Sequence, residues 1–171
     1  FLHTLSLHDA LPIWPTNSKN FGCYVSTDMD NEGNLYVVAQ DVTNGGDLYY
    51  GFIEYSSYVN ATTNEPLSVD WKCIDSDSNA LWTDIKLTYY DKSGDAAEPV
   101  ISYKNNAEAE PILSVKVAFL ENGKWESIIT PAMYGYKEEK LSVASKPKDN
   151  AGVSNKLAVG INSSMFAVDF L

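Results

Sequence analysis

Histidine is nearly missing from this chain, and arginine is missing altogether. The two histidines are His3 and His8, and all twelve basic residues are lysines. Beyond residue 8 there is no imidazole, so histidine-dependent triads and histidine metal sites are excluded there. Positive charge is scarce: 12 lysines face 23 carboxylates, for a net charge of −11. That sign argues against nucleic acid or an anionic membrane surface as partner. No apolar run approaches the roughly 20 residues of a transmembrane helix. Helix-favouring stretches are few, and Tyr136–Lys140 is the only candidate, a poor one. Cysteine occurs twice, at Cys23 and Cys73.

Both histidines fall in a segment of doubtful origin. Thr4 to Ile13, TLSLHDALPI, looks like the in-frame translation of a common short-read sequencing adapter, over ten consecutive residues. It has neither the basic start nor the small-residue cleavage site of a signal peptide. Residues 1–14 are therefore read as a non-native, adapter-derived segment and left out of the fold. Without Asp9, 22 acids still face 12 lysines, a net −10, so the acidity belongs to the remainder.

What is present is strand after strand. The stretch from Trp82 to Thr130 carries four. Ile85, Leu87 and Tyr89 alternate with Asp84, Lys86 and Thr88; Leu113, Val115, Val117 and Phe119 alternate with Ser114, Lys116 and Ala118. A period of two is that of a half-buried strand. Val100 to Tyr103 is short and mostly apolar, as in a strand buried on both faces; Trp125 to Ile129 is the fourth. Asp91–Asp95, Asn105-Asn106 and Glu121-Asn122-Gly123-Lys124 supply turns, the Asn-Gly pair being suited to a tight hairpin.

The same unit recurs on both sides. Tyr24 to Met29, Leu35 to Gln40, Leu48 to Tyr55 and Val69 to Asp75 read as four strands, with a polar loop from Ser56 to Ser68. Tyr24-Val25-Ser26 matches Trp82-Thr83-Asp84, 58 positions on. Asn34 to Asp41 matches Glu98 to Asn105, and Trp71 matches Trp125. Another 58 positions on, Leu141-Ser142-Val143 matches Thr83-Asp84-Ile85, Leu157 to Ile161 matches Pro99 to Tyr103, and Met165 to Leu171 is a third strand. The expected fold is all-β: a partial β-propeller of about two and a half four-stranded antiparallel blades over residues 15–171. Its repeats run about 22–80, 81–138 and 139–171, cut at both ends. Such sheets are stable only when stacked on their neighbours. A β-sandwich is the competing fold, but it gives no reason for the recurrence.

With the repeats in view, the chain resembles the bacterial sialidase-like (BNR-type) β-propeller repeat proteins. The resemblance is carried by W-T-D-I-K-L, P-V-I-S-Y, V-K-V-A-F and G-K-W-E between Trp82 and Glu126, and by D-N-E-G-N-L-Y-V-V from Asp30 to Val38. It implies a secreted or surface-attached propeller. Two departures matter. The Asp-box S-x-D-x-G-x-x-W starts at Ser26-Thr27-Asp28 but lacks its glycine and tryptophan. The three arginines with which sialidases grip the substrate carboxylate have no counterpart.

Other chemistry-bearing residues have structural readings. Asp28, Asp30, Glu32 and Gly33 open like a calcium loop, but Tyr36 and Ala39 stand where later ligands belong, so a strand–turn–strand is expected. Asp75-Ser76-Asp77-Ser78-Asn79 reads as an exposed connection between repeats. Cys23 and Cys73 sit on the first and last strands of one unit. In a blade those strands are too far apart for a disulfide, whose Cα atoms lie within about 7 Å, so two separate thiols are expected. Tyr49-Tyr50, Tyr89-Tyr90, Tyr103, Tyr134 and Tyr136 could stack on sugars, but suit strand packing better. Among Glu98, Glu108, Glu110, Glu126, Glu138 and Glu139 nothing marks a glycosidase pair. Asn60-Ala61-Thr62 and Asn162-Ser163-Ser164 are formal glycosylation sequons.

No catalytic, cofactor-binding or metal-binding residue is singled out. The expected function is a non-catalytic binding or interaction module of an exported bacterial protein, at the cell surface or outside it, with carbohydrate or another surface protein as partner. The alternative is a fragment of a glycoside-processing enzyme whose catalytic residues lie in other blades.

Overall fold

The computed structural model describes residue 21 and residues 23–61, 69–77, 79–88, 98–105, 112–121, 123–129, 133–134, 141–146, 155–161 and 164–170. The described chain is mostly strand. The first sheet holds β1 (Cys23–Met29), β2 (Leu35–Asp41), β3 (Asp47–Ile53) and β4 (Asp70–Asp75). The second holds β5 (Leu81–Thr88), β6 (Glu98–Asn105), β7 (Ile112–Glu121) and β8 (Lys124–Ile129), with the short β9 (Met133–Tyr134) added to the start of β7. The third holds β10 (Leu141–Lys146), β11 (Asn155–Ile161) and β12 (Ser164–Phe170). In each main path neighbours follow chain order and pair antiparallel. Trp82 to Thr130 thus builds one sheet rather than two facing layers. No helix of the described residues is long and apolar enough to cross a membrane.

The pairing registers carry the sequence offset. Ser26 pairs with Val38, and Asp84, 58 residues on, pairs with Ser102. Ser142, another 58 on, pairs with Gly160. Both first strands are also irregular at the same place, between Cys23 and Ser26 and between Leu81 and Asp84. The tryptophans need a correction. Trp71 stands opposite Gly51, whose counterpart Ala118 faces Ser127, whereas Trp125 faces Leu120. The two are on the same side of their fourth strands but two residues apart. Identity of residue type is a weaker guide to register than the ladder itself.

Burial sorts the strands. The second and third strands are the interior, and the fourth is the exposed margin: β2 and β6 are buried almost throughout, β4 and β8 mostly are not. Tyr36, Val38, Leu48 and Tyr50 of the first sheet pack on Ile85, Leu87, Ile101, Tyr103 and Ala118 of the second, with Ala80 between them and Ile74 and Trp125 at the border. The other face of the second sheet is buried too, through Val100, Ser102, Lys104, Val115 and Val117. A sheet covered on both faces is an inner layer, and its second strand β6 is correspondingly poor in alternation. First strands also line up, β1 beside β5 and β5 beside β10.

One local reading differs. The strand expected to reach Tyr55 stops at Ile53, and Tyr55–Tyr58 forms a single helical turn where a loop was expected. It is held from outside: Tyr55 N–H donates to Asn34 Oδ1 at 3.0 Å, and the Tyr58 hydroxyl donates to the Gly33 carbonyl. The helix reading at 136–140 lies outside the described residues.

Candidate functional site

The candidate site is a cleft of about 410 Å3 at the end of the stack where β1 and β5 begin. Three segments build it. Asp41 ends β2 and caps the 3-10 turn Val42–Asn44 by accepting from Thr43 N–H at 3.0 Å. Gly45 and Gly46 then turn the chain back at φ 79° and 91°. The connection between the two sheets is tied to that turn: Ala80 N–H donates to the Gly46 carbonyl at 2.8 Å, and Gln40 Nε2 donates to Asn79 Oδ1 at 3.3 Å. A Cβ on Gly46 would fall 2.6 Å from Gln40 Nε2 and closer still to Asn79 Oδ1, so only glycine fits there.

Left-handed backbone gathers at this end. Tyr24, Asn79 and Trp82 have φ of 53°, 43° and 49°. Tyr24 and Asn79 line the cleft, and Trp82 follows the lining residue Leu81. An aromatic residue held there costs about 1–2 kcal/mol. The strain has an architectural cause, since Tyr24 and Trp82 are 58 residues apart at the two irregular strand starts. Its effect is to bring their rings together, with centroids 5.0 Å apart and planes inclined at 60°. The remaining described lining is amide, glycine or aliphatic: Gln40, Asn79, Gly45, Gly46, Val42 and Leu81. It therefore offers an aromatic edge and amide hydrogen bonds, without a carboxylate, lysine or thiol for acid–base or nucleophilic work.

The acidic runs serve the fold. In the calcium-like opening, Asp28 and Asp30 point to different partners. Asp28 Oδ2 accepts from Leu87 N–H at 2.9 Å, across to the second sheet. Asp30 Oδ1 accepts from Glu32 N–H and Asn34 N–H, both at 2.9 Å; its Oδ2 accepts from Asn34 Nδ2 at 2.9 Å and the Tyr36 hydroxyl at 3.2 Å. Burial alone would push the Asp30 carboxyl up, but these donors outweigh it and hold it below the usual carboxylate range. The strand–turn–strand reading holds, with Asp30 as the knot of the turn.

Asp75 overturns the reading of its run as a mere exposed connection. Its Oδ2 meets Lys116 Nζ at 2.7 Å and accepts from the Tyr103 hydroxyl at 2.6 Å. Both partners belong to the second sheet, so one carboxylate clasps two sheets. Burial would raise the Asp75 carboxyl; hydrogen bonds from Lys116, Tyr103 and the Asp77 backbone, with the lysine's charge, bring it below the ordinary value. Tyr103 is fully buried, and burial, followed by that carboxylate, raises its hydroxyl far above the normal phenol range. Ser76 and Asp77 are exposed, as expected.

Cys73 is an exposed cysteine outside any disulfide on β4, at the opposite sheet margin from β1, which carries Cys23. Tyr49, Tyr50 and Tyr103 are buried, as packing requires; burial pushes the Tyr50 hydroxyl up to about 12. Tyr134 lies in β9, and Tyr89, Tyr90 and Tyr136 lie outside the described residues. Glu98 opens β6 and Glu126 is exposed on β8, while Glu108, Glu110, Glu138 and Glu139 lie outside. Asn60 is exposed, and Asn162 lies outside. Among the described residues no group of three His, Cys, Asp or Glu could hold a metal ion. The cleft residues Tyr24 and Gln40 are not among the candidate residues expected from sequence, and Asn79 belongs to the run read there as an exposed connection. The one signal for them was an aromatic residue recurring at 24 and 82. Compared with known families, curated proteins and solved structures, the chain matches none.

Proposed function

We propose that this chain is a propeller-type, non-catalytic binding module of an exported protein, and that it takes carbohydrate in the cleft between its first two sheets. Sequential four-stranded sheets with their first strands side by side support the propeller over the sandwich, because a sandwich does not repeat one strand order from sheet to sheet. The observation that carries the function is the lining of the cleft. An aromatic edge beside two amides, in a space of about 410 Å3, suits a sugar ring: the apolar face packs and the hydroxyls find amide partners. The reading is recognition because the described lining pairs one tyrosine with amides and aliphatic groups and holds no carboxylate, lysine or thiol beside it.

The test is a glycan array with the whole chain, repeated with Val42→Trp. Val42 is 40% exposed at the mouth of the cleft, so a larger ring there should fill the space and leave the sheets intact. Binding to a defined glycan, lost in Val42→Trp with unchanged circular dichroism, is the expected result. No hit, or hits indifferent to Val42→Trp, would remove the cleft from consideration.

A further inference from the structure

The cleft has a fixed floor, and that floor is neutral. Gln40 lines it although the residue is only 3% exposed. Its amide is held in place: Nε2 donates to Asn79 Oδ1 at 3.3 Å, and both groups lie over Gly46, whose missing Cβ makes the room. Asn79 is held through the next residue, since Ala80 N–H donates to the Gly46 carbonyl at 2.8 Å. The amide–amide bond uses one N–H of Gln40 and one lone pair of Asn79; each group carries further donors and acceptors. A joined amide pair can therefore answer a hydroxyl, which both donates and accepts.

A carboxylate fares differently. The described lining holds no lysine, and the chain has no arginine. Val42 and Leu81 line the same space, so a charged group entering it would exchange water for aliphatic surface and neutral dipoles. The net charge of −11 adds repulsion at longer range. The second sheet shows that a cation can occupy the matching place. Lys104 of β6 stands opposite Leu81, as Gln40 of β2 stands opposite Cys23, 58 residues before Leu81. Lys104 is 0% exposed, so the fold accepts a lysine at that register position.

We propose that the cleft selects an uncharged pyranose and turns away sugars that carry a carboxylate, and that Gln40 sets the preference. This selectivity rests on the carbohydrate reading of the cleft and narrows it to one class of sugar. Position 40 decides because its group is the buried one, tied to Asn79 at the base of the space. With an amide there, sugar hydroxyls find both donors and acceptors, and a carboxylate is left without a counterion. With an ammonium there, the balance reverses: the acid gains a charge-assisted hydrogen bond that a hydroxyl cannot match.

The whole chain should be titrated, with NMR as readout, against matched sugars: methyl galactoside with methyl galacturonoside, and methyl glucoside with methyl glucuronoside. The neutral member of a pair should bind about tenfold more tightly than its acid. Esterifying the uronate removes the charge and should restore the binding, and added salt should leave the neutral sugar's affinity unchanged. In Gln40→Lys, with unchanged circular dichroism, the acid should become the better ligand and its ester should not. Acid and neutral sugar bound alike by the wild-type chain would overturn the selectivity while leaving a sugar site. So would an ester no better than its acid, since size and not charge would then be at work. A folded Gln40→Lys chain that keeps the wild-type order would overturn the role of Gln40. A chain that binds neither member of any pair would overturn the carbohydrate reading together with the selectivity.

Discussion

Replacing Lys116 by Met isolates the clasp between the first two sheets. The substitution keeps the length of the side chain and removes its charge, leaving Asp75 with the Tyr103 hydroxyl and the Asp77 amide. Removing one member of a fully buried ion pair costs about 3–5 kcal/mol. Here the two side chains keep 14% and 10% exposure, so a smaller loss of about 2–3 kcal/mol is expected. With a urea dependence of about 1–3 kcal/mol per M, the unfolding midpoint should fall by about 1 M. The pH dependence separates this cause from lost packing. Asp75 titrates below its ordinary value of 3.8 in the folded chain, so its stabilisation is present above that value and is lost as the pH falls through the folded one. In Lys116→Met the burial of Asp75 is no longer opposed by the lysine, and protonating the carboxyl relieves it. The gap between wild type and variant should therefore be widest near neutrality and narrow as the pH approaches 3. A gap that stays constant over that range, or no gap at all, refutes the clasp.

Two further substitutions probe the cleft end. Gly46→Ala should lower stability by about 2 kcal/mol in urea unfolding, since its Cβ collides with the Gln40–Asn79 pair and its φ of 91° disfavours any side chain. At Trp82, with φ 49°, glycine should be better tolerated than alanine by about 1 kcal/mol, the reverse of the order in an ordinary strand; equal unfolding midpoints would contradict that backbone conformation.

The strands were legible because their signal is local. Ile85 and Leu87, or Val115 and Val117, alternate with polar neighbours whatever lies on the far side of the sheet, and Asn122-Gly123 marks its hairpin unaided. The turn at Tyr55–Tyr58 was not legible, since four residues carry no helical period and its supports come from Asn34 and Gly33. The same physics hid the cleft. A positive φ is readable at glycine or asparagine but not at Tyr24 or Trp82, where a strand irregularity imposes it. Asp75 was misread because a carboxylate in a polar run looks solvated until Lys116, 41 residues away, is placed beside it.

The joint between sheets explains the small polar residues of β1. A middle strand has both edges paired, so its sequence need only supply apolar faces, as β2 and β6 do. A first strand lies at the margin of its own sheet and against the margin of the next, where amides face amides across a gap no ladder spans. Apolar residues there would leave Ile85 and Leu87 with buried, unpaired N–H groups, at about 1–3 kcal/mol each. Ser26 and Asp28 remove that cost with one oxygen apiece. The polar positions of β1, which in sequence look like the solvent side of a half-buried strand, are thus the residues that join one sheet to the next. A chain of such units should accept changes on its fourth strands far more readily than at the small polar positions of its first.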